Sequence, residues 1–130
     1  MSLPQPIEWT PAGIRLLDQT LLPQEERYLT LDSVETLAEA ISMLRVRGAP
    51  LIGIAGAYGV ALAGRREGAR GRGRAEVLVA VERAGELLAG TRPTAVNLRW
   101  AIDRMLAVAR RERAATRPTA VNLFWALDRV

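Results

Sequence analysis

The sequence predicts an α+β fold that is mainly helical, with a small N-terminal antiparallel sheet followed by a helical bundle. Short runs of alternating polar and apolar residues, separated by turn residues, fill positions 7–32. Segments with apolar residues at helical spacing follow them. Residues 49–64 form an apolar run of 16 residues without a charged side chain. Because about 20 residues are needed to span a bilayer, we expect this run to be a core helix.

Three strands are predicted at the N-terminus. Residues 7–10 and 14–19 flank a Pro-Ala-Gly turn at 11–13, which is typical of a hairpin. Residues 27–31 alternate polar and apolar side chains and include aromatic and β-branched members, so they predict a third strand. We expect the three to form one antiparallel sheet.

The first helix is predicted to begin at Asp32. Asp32 with Glu35 has the spacing of a capping box. The helix should end near Arg47 and Gly48, because Gly48 can adopt the left-handed conformation and Pro50 disfavours a helical residue before it. Its apolar face is predicted to contain Leu37, Ala40, Ile41 and Leu44.

The central helix is predicted to begin at Pro50 and to be buried on all sides. A proline suits the first turn of a helix, and the other free N–H groups of that turn can face an anion. Arg47 would stand beside them. Each internal glycine costs about 1 kcal/mol relative to alanine, which favours a compensating close approach of a neighbouring backbone. Plain core packing is the simpler explanation for each glycine taken alone.

Residues 65–74 are rich in glycine and arginine and are predicted to be a connector. An RNA-binding arginine-glycine tract is one interpretation, but the absence of interleaved aromatic residues favours a solvated loop. A helix over about 75–89 should follow, with Leu78, Val81 and Leu88 turned inward, and end at Gly90.

A further helix is predicted after Pro93, and its start is duplicated. Its apolar face would contain Leu98, Ala101, Ile102, Met105 and Ala109. The eight residues from Thr91 recur unchanged from Thr116. We therefore divide the chain into an N-terminal domain at 1–115, with strands in 7–32 and helices over about 33–110, and a duplicated helix-start segment at 116–130 that we expect to be truncated. The duplication is either natural or artificial.

The composition excludes several kinds of chemistry. The chain has no cysteine, which excludes thiolate chemistry. It also has no histidine, which excludes the usual general base near neutral pH and the commonest transition-metal ligand. We therefore expect no metal and no cofactor. All 18 basic residues are arginine, but a net charge of +4 is modest, so nucleic acid is not the expected partner. No secretion signal or membrane span is predicted, and we expect a cytoplasmic protein.

Three sequence motifs resemble those of one protein family. They are Leu16-Leu17-Asp18-Gln19 with Leu22-Pro23, then Val46-Arg47-Gly48-Ala49-Pro50 with Ile52-Gly53 and Ala57-Tyr58-Gly59, then Thr91-Arg92-Pro93-Thr94-Ala95-Val96-Asn97-Leu98. In this order they resemble the N-terminal part of the methylthioribose-1-phosphate isomerase family. The wider family includes regulatory subunits of translation initiation factor 2B and ribose-1,5-bisphosphate isomerase.

The resemblance implies a sugar-phosphate site at four residues. It implies an aldose–ketose isomerisation of 5-methylthioribose 1-phosphate in methionine salvage, without a cofactor, and a homodimer for the full-length protein. Its substrate-binding residues would be Arg47, Gly48, Ala49 and Arg92. Two guanidinium groups beside helix N-termini also suit a dianion on physical grounds. Arg117 is a second candidate through the duplication, but Arg92 has the family-like separation from Arg47.

The resemblance also implies that the catalytic groups lie elsewhere. The family's catalytic cysteine and aspartate belong to a C-terminal Rossmann-like domain, which we expect to be absent from this chain. We therefore assign no catalytic residue and expect the chain alone to be inactive. The alternative is a regulatory or interaction module that resembles the initiation factor 2B subunits and binds without turnover.

Overall fold

Three strands are followed by four α-helices in the computed structural model, which describes residues 6–111. This order confirms the predicted mainly helical α+β fold. A short 3₁₀ helix at Gln19–Leu21 separates the second strand from the third. The strands and helices are β1 Ile7–Thr10, β2 Gly13–Leu17, β3 Tyr28–Leu31, α1 Val34–Ser42, α2 Ala49–Ala69, α3 Arg74–Thr91 and α4 Val96–Arg111.

The sheet is antiparallel in the order β1-β2-β3. The predicted hairpin is confirmed, with Ile7 opposite Leu16 in the register of β1 and β2. Its turn is closed by the Thr10 side chain, which accepts a hydrogen bond from the Gly13 N–H at 3.1 Å. Gly13 has a φ of 147°, and a Cβ there would lie 2.4 Å from the Leu31 carbonyl oxygen. Only glycine fits where β2 begins beside β3.

Helix α2 is the centre of the core and contacts the sheet and the other three helices. The predicted apolar face of α4 is confirmed, since Leu98, Ala101, Ile102, Met105 and Ala109 are all buried. On the sheet side, Arg65 donates a hydrogen bond to the Thr10 carbonyl at 2.9 Å, and its guanidinium lies 4.3 Å from the centre of the Trp9 ring. Burial lowers the pKa of Arg65 from its usual value.

The predicted boundaries of α1 are wrong at both ends. Ser33, not Asp32, caps the helix, and its hydroxyl accepts a hydrogen bond from the Thr36 N–H at 3.2 Å. The helix ends at Ser42 rather than near Gly48. Leu44 has a φ of 61° and is exposed, so it does not join the apolar face. The chain therefore leaves the helix one turn earlier than the apolar spacing indicates.

The start of α2 also differs from the prediction. Gly48 has the expected positive φ, 94°, but it is the N-cap of α2 and not the end of α1. Ala49 is helical although it precedes Pro50. The steric bias before proline is a preference and not a prohibition, so Ala49 can be helical. The Pro50 ring is also tolerated here because no helical turn precedes it.

Most of the predicted connector at 65–74 is helical. Helix α2 continues to Ala69, and α3 begins at Arg74, which leaves only 70–73 between them. Arginine is a good helix former, and this preference outweighs the cost of Gly68 near the end of the helix. Gly71, with a φ of 74°, allows the chain to turn into α3.

The glycines of α2 are accommodated in two ways. A Cβ on Gly53 would lie 3.2 Å from the Asn97 carbonyl oxygen, so the backbones of α2 and α4 approach closely there, as predicted. At Gly56 and Gly59 the neighbours are leucine and isoleucine side chains of other helices, which is plain core packing. Within residues 6–111, none of the helices has the length and apolar character that crossing a membrane requires.

Candidate anion-binding site

A cleft of about 450 Å³ lies where the starts of α2 and α4 meet. Arg47, Gly48 and Ala49 line it from the start of α2, and Arg92 lines it from the end of α3. The fold thus brings the four predicted binding residues together, although the two arginines are far apart in the sequence. We name this the anion cleft. Its remaining lining residues are Leu44, Ile52, Thr94, Ala95, Val96, Asn97 and Leu98.

The anion cleft carries positive charge that the described protein does not neutralise. No aspartate or glutamate is among its described lining residues. Within residues 6–111, neither the Arg47 nor the Arg92 guanidinium has a hydrogen-bond or ion-pair partner, although the Arg92 carbonyl accepts a hydrogen bond from the Ala95 N–H at 2.9 Å. Arg45 differs, because Asp18 and Glu39 both pair with it. Two guanidinium groups are therefore available to an anion in the cleft.

Backbone donors at two helix starts add to this charge. In α2, the Gly48 carbonyl accepts the first helical hydrogen bond, from the Ile52 N–H at 2.9 Å, and no side chain caps the helix. In α4, the Ala95 carbonyl accepts from the Arg99 N–H at 3.2 Å. The N–H groups of the first turns have no acceptor inside their helices, so they can face an anion.

A second groove of about 390 Å³, between α2 and α3, has a different charge balance. Its lining residues include three arginines and three glutamates: Arg66, Arg70, Arg83, Glu35, Glu67 and Glu76. In the neighbouring connector, Arg70 and Arg72 both pair with Glu67, at 2.9 Å and 3.9 Å. Arg70 and Arg72 are thus paired with a carboxylate, whereas the arginines of the anion cleft are not. The expectation that nucleic acid is not a partner stays a prediction.

An apolar groove of about 440 Å³ adjoins the anion cleft. It shares Val96 and Asn97 with the cleft and extends along α2 and α4. Val96 and Trp100 are 78% and 52% exposed, which is high for large apolar side chains, and the Arg104 guanidinium lies 5.1 Å from the centre of the Trp100 ring. The groove is lined by Pro50, Gly53, Ile54, Val96, Asn97, Trp100 and Ala101.

Sequence reasoning missed two polar residues of the anion cleft. Thr94 and Asn97 line it and are exposed. Both belong to the duplicated word, so its repetition was a signal that could have identified them. Pro93 lies in the turn before α4, whereas Pro50 lies inside α2. Arg117, the alternative phosphate ligand, lies outside the described residues.

The described residues offer no cluster of metal ligands. No group of three or more His, Cys, Asp or Glu side chains in 6–111 is placed to hold an ion. The roles of Arg47 and Arg92, like the expected homodimer, stay predictions. The fold and the cleft together define an α+β domain with a cationic, carboxylate-free cleft between two helix starts.

Comparison with known proteins identifies the family. The model of the initiation factor 2 subunit family matches residues 45–115, and the chain belongs to this family. It is 54% identical over 99 residues to the methylthioribose-1-phosphate isomerase of Azotobacter vinelandii, covering 76% of this chain and 27% of that protein. The family resemblance found in the sequence is thereby confirmed.

Two solved structures share the fold. The 5-methylthioribose 1-phosphate isomerase of Pyrococcus horikoshii superposes with a TM-score of 0.85 at 34% identity, over 97% of this chain and 34% of that one. Subunit delta of the translation initiation factor eIF-2B from A. fulgidus gives 0.83 at 37% identity, over 95% and 35%. The chain spans about a third of each of these proteins.

Proposed function

We propose that this chain is the N-terminal, substrate-binding part of an aldose–ketose isomerase that converts 5-methylthioribose 1-phosphate to 5-methylthioribulose 1-phosphate in methionine salvage. The observation that carries the proposal is the anion cleft itself. Arg47 and Arg92 line it together, within residues 6–111 no carboxylate pairs with either, and first-turn N–H groups lie beside them. Each guanidinium can bind phosphate oxygens in a bidentate manner.

The apolar groove supports the choice of sugar. The proposed substrate has an anionic phosphate at one end and an apolar methylthio group at the other. The anion cleft and the apolar groove share Val96 and Asn97, so one ligand can contact both. A phosphate in the cleft would place the rest of the ligand toward Trp100, whose exposed ring can bury the methylthio group.

We also propose that these 130 residues bind the substrate without converting it. The sequence has no cysteine and no histidine. The family resemblance assigns catalysis to a cysteine and an aspartate of another domain. The isolated chain should therefore show binding and no turnover.

A regulatory or interaction module is the second candidate. The similarity to subunit delta of eIF-2B favours it, at 37% identity over 95% of this chain. A module of this kind would bind a protein partner or a nucleotide and would have no need of the sugar phosphate. The two candidates therefore differ in the ligand of the anion cleft.

Calorimetric titration of the full chain with 5-methylthioribose 1-phosphate tests the proposal. Arg47→Ala and Arg92→Ala should each weaken binding by about 1–3 kcal/mol, the range for hydrogen bonds to charged groups. Arg83→Ala is the matched control, since Arg83 is exposed and lies in the groove between α2 and α3. It should leave the affinity unchanged.

A second comparison tests the apolar groove. Ribose 1-phosphate lacks the methylthio group, so it should bind more weakly than the methylthio sugar. Trp100→Ala should reduce this preference without abolishing phosphate binding. Absence of sugar-phosphate binding to the wild-type chain, or equal loss in all three arginine variants, would contradict the proposal and favour the regulatory module.

A further inference from the structure

Asp18 is the only charged residue that is buried within residues 6–111, where it is 6% exposed. It lies between β2 and the 3₁₀ helix, outside the anion cleft. One carboxylate oxygen, Oδ1, accepts hydrogen bonds from the Thr20 N–H at 3.0 Å and the Thr20 hydroxyl at 2.6 Å. The other, Oδ2, lies 3.7 Å from Nε of Arg45. Burying a carboxylate costs free energy, so packing alone does not explain the position of Asp18.

Asp18 and its neighbour fix the segment that precedes α2. The Gln19 N–H donates a hydrogen bond to the Arg45 carbonyl at 2.9 Å, and the Arg45 N–H donates to the Ala40 carbonyl at 2.9 Å. Arg45 is thus held through its side chain and through both of its backbone polar groups. Val46, the next residue, is 1% exposed in the core. The chain between α1 and α2 is therefore anchored at two successive residues.

Arg45 and Val46, the two anchored residues, directly precede in sequence the residues that line the anion cleft. Arg47 and Gly48 follow Val46, and both line the cleft. Neither has a side-chain partner within the described residues that would fix it from the cleft side. Leu44, on the other side of the anchor, has a φ of 61°, so the path of the chain here departs from the easiest backbone conformations. The orientation of Arg47 and Gly48 depends on Arg45 and Val46 keeping their places.

We propose that Asp18 and Arg45 form a positioning pair that holds Arg47 and Gly48 in place for binding a phosphate group. The inference rests on the proposed function, since it assigns a role within the same site. The pair does not touch the anion. It acts by limiting the positions available to the next two residues, and a displacement on the order of 1 Å in such a site can cost about 100-fold in activity.

Three variants of the full chain test the pair, with inorganic phosphate as the probe. Asp18→Asn keeps an acceptor for Thr20 but removes the charge facing Arg45, and Arg45→Ala removes the pair from the other side. Both should weaken phosphate binding by about tenfold. Arg45→Lys keeps the positive charge and should restore most of the affinity.

Glu39→Gln is the matched control. Glu39 is the exposed partner of the same Arg45, at 3.1 Å from Nη2, with its side chain 57% exposed. Exposed ion pairs contribute little, so this variant should change phosphate affinity by less than about threefold. If phosphate binding required both ion pairs of Arg45, Asp18→Asn and Glu39→Gln would weaken it alike.

Two readouts separate positioning from general stability. In the ligand-free chain, amide hydrogen exchange at Gln19 should accelerate by about tenfold in Asp18→Asn, because that amide donates to Arg45. In an Arg47→Ala background, Asp18→Asn should cause a smaller loss of phosphate affinity than in the wild-type background, because only Gly48 remains to be positioned. A merely structural role predicts an independent loss or no loss in either background.

Each outcome decides the inference. Unchanged exchange at Gln19 in Asp18→Asn, or unchanged phosphate affinity in both Asp18→Asn and Arg45→Ala, overturns the positioning pair alone. If Asp18→Asn does not fold, the comparison of Arg45→Ala with Arg45→Lys decides, and equal affinities for the two would overturn it. A wild-type chain that binds no phosphate overturns the proposed function and removes the site that the pair would serve.

Discussion

Replacement of Ile102 by alanine tests the central packing of the helices. Ile102 lies on α4, is 0% exposed and meets glycines on two other helices. A Cβ built on Gly56 of α2 would lie 3.3 Å from Cγ1 of Ile102, and one on Gly85 of α3 would lie 3.1 Å from its Cγ2. The isoleucine thus occupies the space that the two glycines leave between three helices.

The expected loss of stability follows from this packing. The substitution removes three carbon atoms, which corresponds to about 2.4 kcal/mol at about 0.8 kcal/mol per buried carbon. A cavity term adds to it because three helices cannot all close around the gap. We expect Ile102→Ala to reduce the free energy of unfolding by about 3–4 kcal/mol, within the range of about 2–5 kcal/mol for such changes.

Urea unfolding of the full chain, followed by circular dichroism at the helical band, measures this loss. With a slope of about 1–3 kcal/mol per molar urea, the midpoint should fall by roughly 1–4 M. Val79→Ala is the control, since Val79 is 49% exposed on α3. Its effect should stay within about 0.5 kcal/mol. A loss below about 1 kcal/mol for Ile102→Ala would refute the three-helix packing.

Three further predictions concern backbone, capping and domain extent. Gly48→Ala should destabilise the fold by about 1–3 kcal/mol because Gly48 has a φ of 94°. Gly90→Ala lies within α3 with open space around it and should stabilise the fold by up to about 1 kcal/mol. Thermal unfolding should therefore show effects of opposite sign for the two variants. Ser33→Ala should lower the free energy of unfolding by about 0.5–2 kcal/mol, and Asp32→Ala should lower it much less. The reverse order in urea unfolding would show that Asp32 caps the helix. We propose that residues 1–115 form the domain, so a chain ending at Ala115 should unfold within about 2 °C of the full chain, and a fall of more than about 5 °C would contradict that boundary.

Regular elements were predictable where one physical signal dominated. Alternation identified the three strands, and the apolar spacing of α4 gave its buried face from Leu98 to Ala109. The boundaries failed where two signals competed. Leu44 continues the apolar spacing of α1, yet it lies beyond the end of the helix. A local pattern does not include the tertiary contacts of Arg45 and Val46, which direct the chain away from α1.

The candidate site was predictable in its residues but not in its geometry. The motifs shared with the family indicated Arg47, Gly48, Ala49 and Arg92, and the fold brings all four to one cleft. The absence of carboxylates there depends on which residues three helices bring together, so no single stretch of sequence reveals it. The role we propose for Asp18 is equally remote, since its contact with Arg45 joins segments 27 residues apart.

The most direct test of the anion cleft is a nuclear magnetic resonance titration of the full chain with 5-methylthioribose 1-phosphate. We expect saturable shifts of the Nε–H signals of Arg47 and Arg92 and of the Gly48 amide, with one common dissociation constant. The Nε–H signal of Arg83, in the groove between α2 and α3, should not move. Shifts confined to Arg83 and its neighbours, or no saturable shift at Arg47 and Arg92, would show that the sugar phosphate does not bind in the anion cleft.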